Sequence, residues 1–153
     1  MWSRVRVQPE PLEPLAPQAE LWGGRPGVGA VVSFIGLMRD FNAGQAVQGM
    51  TLEHYPGMTE KALQAIVDQA GERWDLEAVQ LVHRVGGLRP QDPIVLVAVA
   101  SAHRGEAFRA CEFIIDYLKT RAPLWKKEQR ADGEHWVEAR AQDGAAERRW
   151  RAE

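Results

Sequence analysis

Cysteine is nearly missing from this chain: Cys111 stands alone among 153 residues. That excludes an internal disulfide framework and any cysteine-rich metal cluster. The four histidines, His54, His83, His103 and His135, lie apart, without HExxH or paired-ligand spacing. No bound metal and no cofactor are therefore expected. No run approaches the ~20 apolar residues of a membrane span. Met1-Trp2-Ser3-Arg4 leads into polar, proline-rich sequence without the apolar core of a signal peptide. The expectation is a cytoplasmic protein without membrane contact. Neither GxxxxGK[ST] nor GxGxxG occurs, which disfavours a nucleotide fold. The net charge of -2 provides no global basic field for nucleic acid. Any positive site must be local.

A composition of 45% hydrophobic and 26% charged residues suits a soluble globular protein. The length suits one domain over residues 1–153, with a lead-in at 1–27, a core at 28–140 and a polar tail at 141–153. Residues 3–8 read as an edge strand. The proline- and glycine-rich stretch 9–27 reads as loosely structured, with a short helix near 15–22. Residues 28–36 are apolar on both faces, the pattern of a buried central strand. A polar turn from Asp40 to Gln45 precedes an alternating strand at 47–55, which Pro56-Gly57 breaks. A helix with apolar Leu63, Ile66, Val67 and Ala70 runs on to Trp74. An alternating strand at 78–85 stops at Gly86-Gly87, and a nearly continuous apolar strand follows at 94–100. The next helix spans about Gly105 to Thr120, with Phe108, Cys111, Ile115 and Leu118 as its inner stripe, and Pro123 ends it. Strands near 124–130 and 135–140 flank Ala131-Asp132-Gly133, a hairpin signal. This order predicts an α+β domain with a mainly antiparallel sheet.

Two stretches carry chemistry. His103 and Arg104 fall where a buried strand yields to a helix N-terminus, whose free N–H groups favour an anion; the alternative is a solvated capping turn. Between Lys119 and Arg130 five residues are basic (Lys119, Arg121, Lys126, Lys127, Arg130) against one acid, Glu128. Pro123 turns the backbone, so Lys119 and Lys126 can converge. Alternation puts Leu124, Lys126 and Glu128 on one face and Trp125, Lys127 and Gln129 on the other. Lys126 and Lys127 thus cannot share one pocket, whereas Glu128 can orient Lys126. The alternative is a charged edge strand protected from aggregation. Arg39 sits at the lip of the polar turn. Cys111, on the inner stripe, reads as core filler.

Leu52-Glu-His-Tyr-Pro-Gly-Met-Thr-Glu-Lys-Ala-Leu, Ser101-Ala-His-Arg, Asp116-Tyr-Leu-Lys-Thr-Arg-Ala-Pro-Leu-Trp-Lys-Lys-Glu and Trp136-Val-Glu-Ala-Arg140 resemble the large, catalytic subunit family of molybdopterin synthase. The similarity runs from about Val28 to Arg140. It implies an α/β hammerhead with additional strands, in a homodimer that carries a small ubiquitin-like subunit at each end. The implied reaction is sulfur transfer from that subunit's Gly-Gly thiocarboxylate to cyclic pyranopterin monophosphate. By the same resemblance Lys119 and Lys126 are catalytic. Leu37, Met38, Arg39, His103, Arg104, Lys119, Lys126, Lys127 and Glu128 bind substrate, with His103 and Arg104 supplied across the dimer. Leu37 departs from the polar or basic residue expected there, which leaves its backbone to make contact. The chain ends Arg-Ala-Glu, without the carrier's Gly-Gly. Two rivals remain: a non-catalytic module gripping a ubiquitin-like tail, disfavoured by retention of both lysines, and a single-strand nucleic-acid binder using Trp125 and Trp136, disfavoured by the acidic balance.

Overall fold

The computed structural model describes residues 1–138 and 140–152. In chain order the strands are β1 (Trp2–Gln8), β2 (Ala30–Leu37), β3 (Phe41–Asn42), β4 (Gln45–Ala46) and β5 (Gly49–His54). After helix α1 (Met58–Arg73) come β6 (Ala78–Arg84), β7 (Gly86–Leu88) and β8 (Pro93–Ser101). Helix α2 (Arg104–Arg121), β9 (Leu124–Arg130), β10 (Gly133–Val137) and α3 (Ala141–Arg149) complete the chain, with a 3-10 turn at Trp150–Ala152. A 3-10 helix also spans Ala16–Leu21.

One sheet has the order β1-β6-β8-β2, parallel at β1–β6 and antiparallel elsewhere. Its central strands β6 and β8 are buried on both faces. Val79, Leu81, Val97 and Val99 face α1 and α2, where Leu63, Val67, Phe113 and Ile114 meet them. Ala78, Val82, Leu96 and Ala98 face the other way, under Leu12 and Leu21 of the N-terminal segment. The stretch expected to be loose thus seals one face of the sheet. Gln80 is buried there too, donating to the carbonyl of Pro17 and the carboxylate of Glu20. The second sheet, β10-β9-β5-β7, is wholly antiparallel.

The α+β expectation is borne out, with four local corrections. The strand expected at 28–36 is β2, Ala30–Leu37, and it lies at the sheet edge, not at its centre. Ser33 and Phe34 of β2 are exposed, and apolarity on both faces does not reveal which strand has an unpaired side. Residues 78–85 do not alternate between core and solvent, because the N-terminal segment covers the face that would otherwise be wet. β6 does stop before Gly86-Gly87 as expected, but the glycines open an additional strand: Gly86, at φ 87°, swings the chain into β7 and the second sheet. Finally, Phe108 is 60% exposed, and the buried stripe of α2 runs through Ala107, Ala110, Cys111, Ile114, Tyr117 and Leu118. Small alanines let the helix approach the sheet, and that fixes a rotation different from the one Phe108 suggested. Cys111 is core filler as expected, its thiol pushed up to about 12 chiefly by burial.

The polar tail is fastened to α2. Trp150 is buried edge-on to Phe113 and Trp74, and its indole N–H donates to Asp116. Glu147 is buried and accepts hydrogen bonds from Thr120, Arg121 and Arg151. The bonds from Thr120 and then Arg121 hold its carboxyl down to about 2. Glu147→Ala should cost about 1–3 kcal/mol in urea unfolding and speed amide exchange in α3 without affecting β6 and β8; unchanged exchange in α3 would show that this cluster does not secure the tail.

Candidate functional site

A cavity of about 510 Å³ opens where the two sheets meet the C-terminal end of α2. Its size suits a small organic ligand. Met50 and Leu52 of β5, Val95 of β8 and Leu118 of α2 give it apolar walls. Lys119, Lys126, Arg39 and Arg140 bring positive charge, and Glu128, Glu138 and Asp143 bring negative charge.

Lys119 lies in the last turn of α2, where the helix dipole favours a cation. The chain passes Pro123 and returns as β9, antiparallel to β5, with Lys126 opposite Leu52. The expected convergence of Lys119 and Lys126 on one cavity is realised. Neither has a salt-bridge partner among the described residues. Lys126 is solvent-exposed overall and lines the open cavity; even so, the protein packed around it first, and the charge of Lys119 second, push its pKa down. Asp143 and Glu128 oppose that shift. A lysine so placed can give up a proton more readily than one in water.

Alternation separates the other β9 residues as expected. Lys127 is turned away from the cavity: its ammonium pairs with Glu134 at 3.4 Å and sits 5.0 Å over the Trp136 ring. Glu128 faces inward but does not pair with Lys126. Its carboxylate accepts from Arg130 at 2.8 Å and from the Asn42 amide at 3.0 Å. Asn42 belongs to the β3–β4 hairpin, whose turn residues Ala43 and Gly44 take φ values of 49° and 80°. Glu128 therefore ties that hairpin to the cavity rim.

Leu37, Met38 and Arg39 all line the cavity. The Met38 N–H donates to Asp92 and its carbonyl accepts from Gln91, so this backbone is occupied and only the buried side chain is presented. His103 and Arg104 do not reach the cavity. They are exposed at the opposite end of α2, and fifteen residues of helix put Arg104 roughly 22 Å from Lys119 along the axis. A single chain therefore separates the two halves of the expected site.

Several cavity residues escaped the sequence reading, among them Glu138, Arg140, Asp143 and, on the sheet, His83. His83 of β6 is buried, lines the cavity, and has Nδ1 2.9 Å from the carbonyl oxygen of Arg84. Burial pushes its pKa down to about 4; the hydrogen bond to Arg84 opposes this, and Lys119, Lys126 and His54 add to it. Its only signal was a histidine inside a strand that is mostly apolar, with Gln80 the other buried polar residue.

A family model described as "MoaE protein" matches residues 7–121. The chain is 62% identical to the molybdopterin synthase catalytic subunit of Ralstonia nicotianae over 95% of its own length and 83% of that protein. It is 55% identical to the subunit of the same name from Pseudomonas aeruginosa, over 95% and 97% of the two chains. The solved molybdopterin biosynthesis MoaE protein of Burkholderia ambifaria MC40-6 superposes with a TM-score of 0.84 at 50% identity, covering 100% of both chains. The chain belongs to the MoaE family. Its membership bears out the resemblance carried by the Leu52, Ser101, Asp116 and Trp136 motifs. Within the MoaE match fall Arg39, His83, His103, Arg104 and Lys119, while Lys126 lies just beyond it.

The buried imidazole makes stability depend on pH. Between its ordinary 6.5 and about 4, the unfolded chain binds a proton that folded His83 refuses. The His83 contribution to stability should fall as pH drops through that window, by on the order of 3 kcal/mol, and level off below it, where Glu147 takes over as the group losing its stabilisation. Urea unfolding at stepped pH should show this slope flattened in His83→Leu; an identical slope in the variant contradicts the assignment.

Proposed function

We propose that this chain is the catalytic subunit of a cytoplasmic molybdopterin synthase, one domain over residues 1–153. It converts cyclic pyranopterin monophosphate to molybdopterin by transferring two sulfurs in turn, one from each of two C-terminal thiocarboxylates borne by copies of a small ubiquitin-like subunit, which leave as carboxylates. The observation that carries this reading is the convergence of Lys119 and Lys126, free of salt-bridge partners among the described residues, on one cavity. Substrate phosphate and carrier thiocarboxylate are both anions, and bringing them together out of water needs positive charge already in place. Lys119 stabilises charge at the thiocarboxylate during attack. Lys126, with its lowered pKa, exchanges protons as sulfur enters and the cyclic phosphate opens. Arg39 offers a planar fork to the phosphate. No resident cofactor or metal is invoked.

The distance between His103-Arg104 and the cavity favours a homodimer within a heterotetramer, each chain lending its α2 N-terminus to the other's cavity. Three features support it: the unpaired side of β2, the exposed Phe34 on that strand, and the exposed Phe108 one turn into α2. These are apolar groups of the kind buried between subunits. Lys127, turned outward, and Glu128, engaged by Arg130 and Asn42, are the site assignments that need most adjustment: Lys127 contacts the carrier subunit and Glu128 positions the rim.

Lys119→Ala should nearly abolish molybdopterin formation from thiocarboxylated carrier and cyclic pterin phosphate while the carrier complex stays intact on gel filtration. Near-normal turnover removes Lys119 from the mechanism; an inactive wild type, where a known synthase works, sinks the enzyme reading. Shared sites predict complementation. Co-expressed Lys119→Ala and Arg104→Ala chains, each inactive alone, should recover about a quarter of wild-type activity, since half the dimers are mixed and each mixed dimer holds one intact site. No recovery would place Arg104 in its own chain's cavity or outside the reaction.

A further inference from the structure

His83 has no role in the reaction as described above, yet its geometry is that of a ligand contact. The Arg84 carbonyl can only accept, so Nδ1 carries the ring proton in the 2.9 Å hydrogen bond between them. The lowered pKa keeps the ring neutral at physiological pH, so Nε2 is a bare lone pair. Nε2 has no hydrogen-bond partner among the described residues. It is not sealed in either, since Arg130 Nε is the sole buried side-chain nitrogen or oxygen without a partner among them. An unpartnered acceptor on a buried cavity residue must therefore open to the cavity itself.

The other polar groups of the cavity define what that acceptor is for. Lys119, Lys126, Arg39 and Arg140 are cationic donors suited to anionic oxygens. Glu128 is engaged by Arg130 and Asn42, while Glu138 and Asp143 come from the segment that follows β10, not from the sheet floor. His83 is the neutral acceptor of the floor, set among Met50, Leu52, Val95 and Leu118. We propose that His83 is a specificity-determining residue of the substrate site, accepting at Nε2 a hydrogen bond from a ring N–H of the bound pterin while the lysines and arginines take its phosphate. This rests on the proposed function and deepens it. A lone pair at the floor repels a carbonyl or phosphate oxygen and welcomes an N–H, so it fixes which edge of the heterocycle points inward. A protonated histidine would do the reverse. Burial beside two lysines keeps the ring in the form that accepts.

The test is binding of cyclic pyranopterin monophosphate and, separately, of inorganic phosphate to the full-length chain with its carrier subunit. Loss of the lone pair in His83→Leu should weaken pterin binding about tenfold while phosphate alone binds within about two-fold of wild type. His83→Gln, which can present an amide oxygen, should recover part of the loss. Should His83→Leu fail to fold, ¹⁵N resonances of wild-type His83 decide: Nε2 moves upfield on adding the pterin and Nδ1 keeps its proton. Unaltered pterin affinity in folded His83→Leu, or an Nε2 resonance that ignores the pterin, overturns the inference while leaving the proposed function standing. A wild type that binds no pterin phosphate overturns both.

Discussion

Two ammonium groups facing one cavity, without a carboxylate partner among the described residues, are the constraint around which the rest of the structure is arranged. Desolvation first, and repulsion from Lys119 second, lower the pKa of Lys126. The repulsion is tolerated because each lysine is held by a different rigid element. Lys119 sits at the favourable end of an eighteen-residue helix, and Lys126 sits in a strand paired on both sides, to Leu52 of β5 and Val137 of β10. Under the proposed function, an anion held between them offsets this repulsion, so an arrangement that costs stability would serve binding.

The scaffold supplies the rest. The twice-covered strands β6 and β8 anchor α2 through Val97, Phe113 and Ile114, and so fix where Lys119 emerges. Gly86 carries the chain from that sheet into the second, which places His83 at the seam. Glu128, engaged by Arg130, spends its charge on the Asn42 hairpin and not on Lys126, leaving the lysine available. Glu147 and Trp150 fasten the C-terminal segment to α2, and that segment contributes Asp143 to the cavity wall.

Much of this was legible in the residues, for reasons that differ from place to place. Strand alternation separated Lys126 from Lys127 correctly, because the period-two rule is local and backbone geometry enforces it. Pro123 announced the return that makes Lys119 and Lys126 converge. The role of β2 was not legible, since an apolar strand reads alike whether its unpaired side meets another strand of its own chain or lies at the sheet edge. Phe108 misled because the rotation of α2 is set by small residues, Ala107 and Ala110, that leave a weak mark in a hydrophobic pattern. His83 was invisible as a cavity residue because the cavity is made by the meeting of two sheets, a long-range event that no short window contains. The separation of His103-Arg104 from Lys119 follows from helix length alone, and its meaning emerges once both ends have a task.

The central claim, that the lysine pair is an anion site held in readiness, is tested most directly by counting protons on binding. Calorimetric titration of cyclic pyranopterin monophosphate, repeated in buffers of different ionisation heat across the alkaline range, gives the number of protons exchanged. If Lys126 is depressed by desolvation and by Lys119, the arriving anion raises its pKa, and the complex takes up protons from solution; this uptake vanishes in Lys126→Met. Binding without proton uptake, or uptake unchanged in Lys126→Met, would contradict the account.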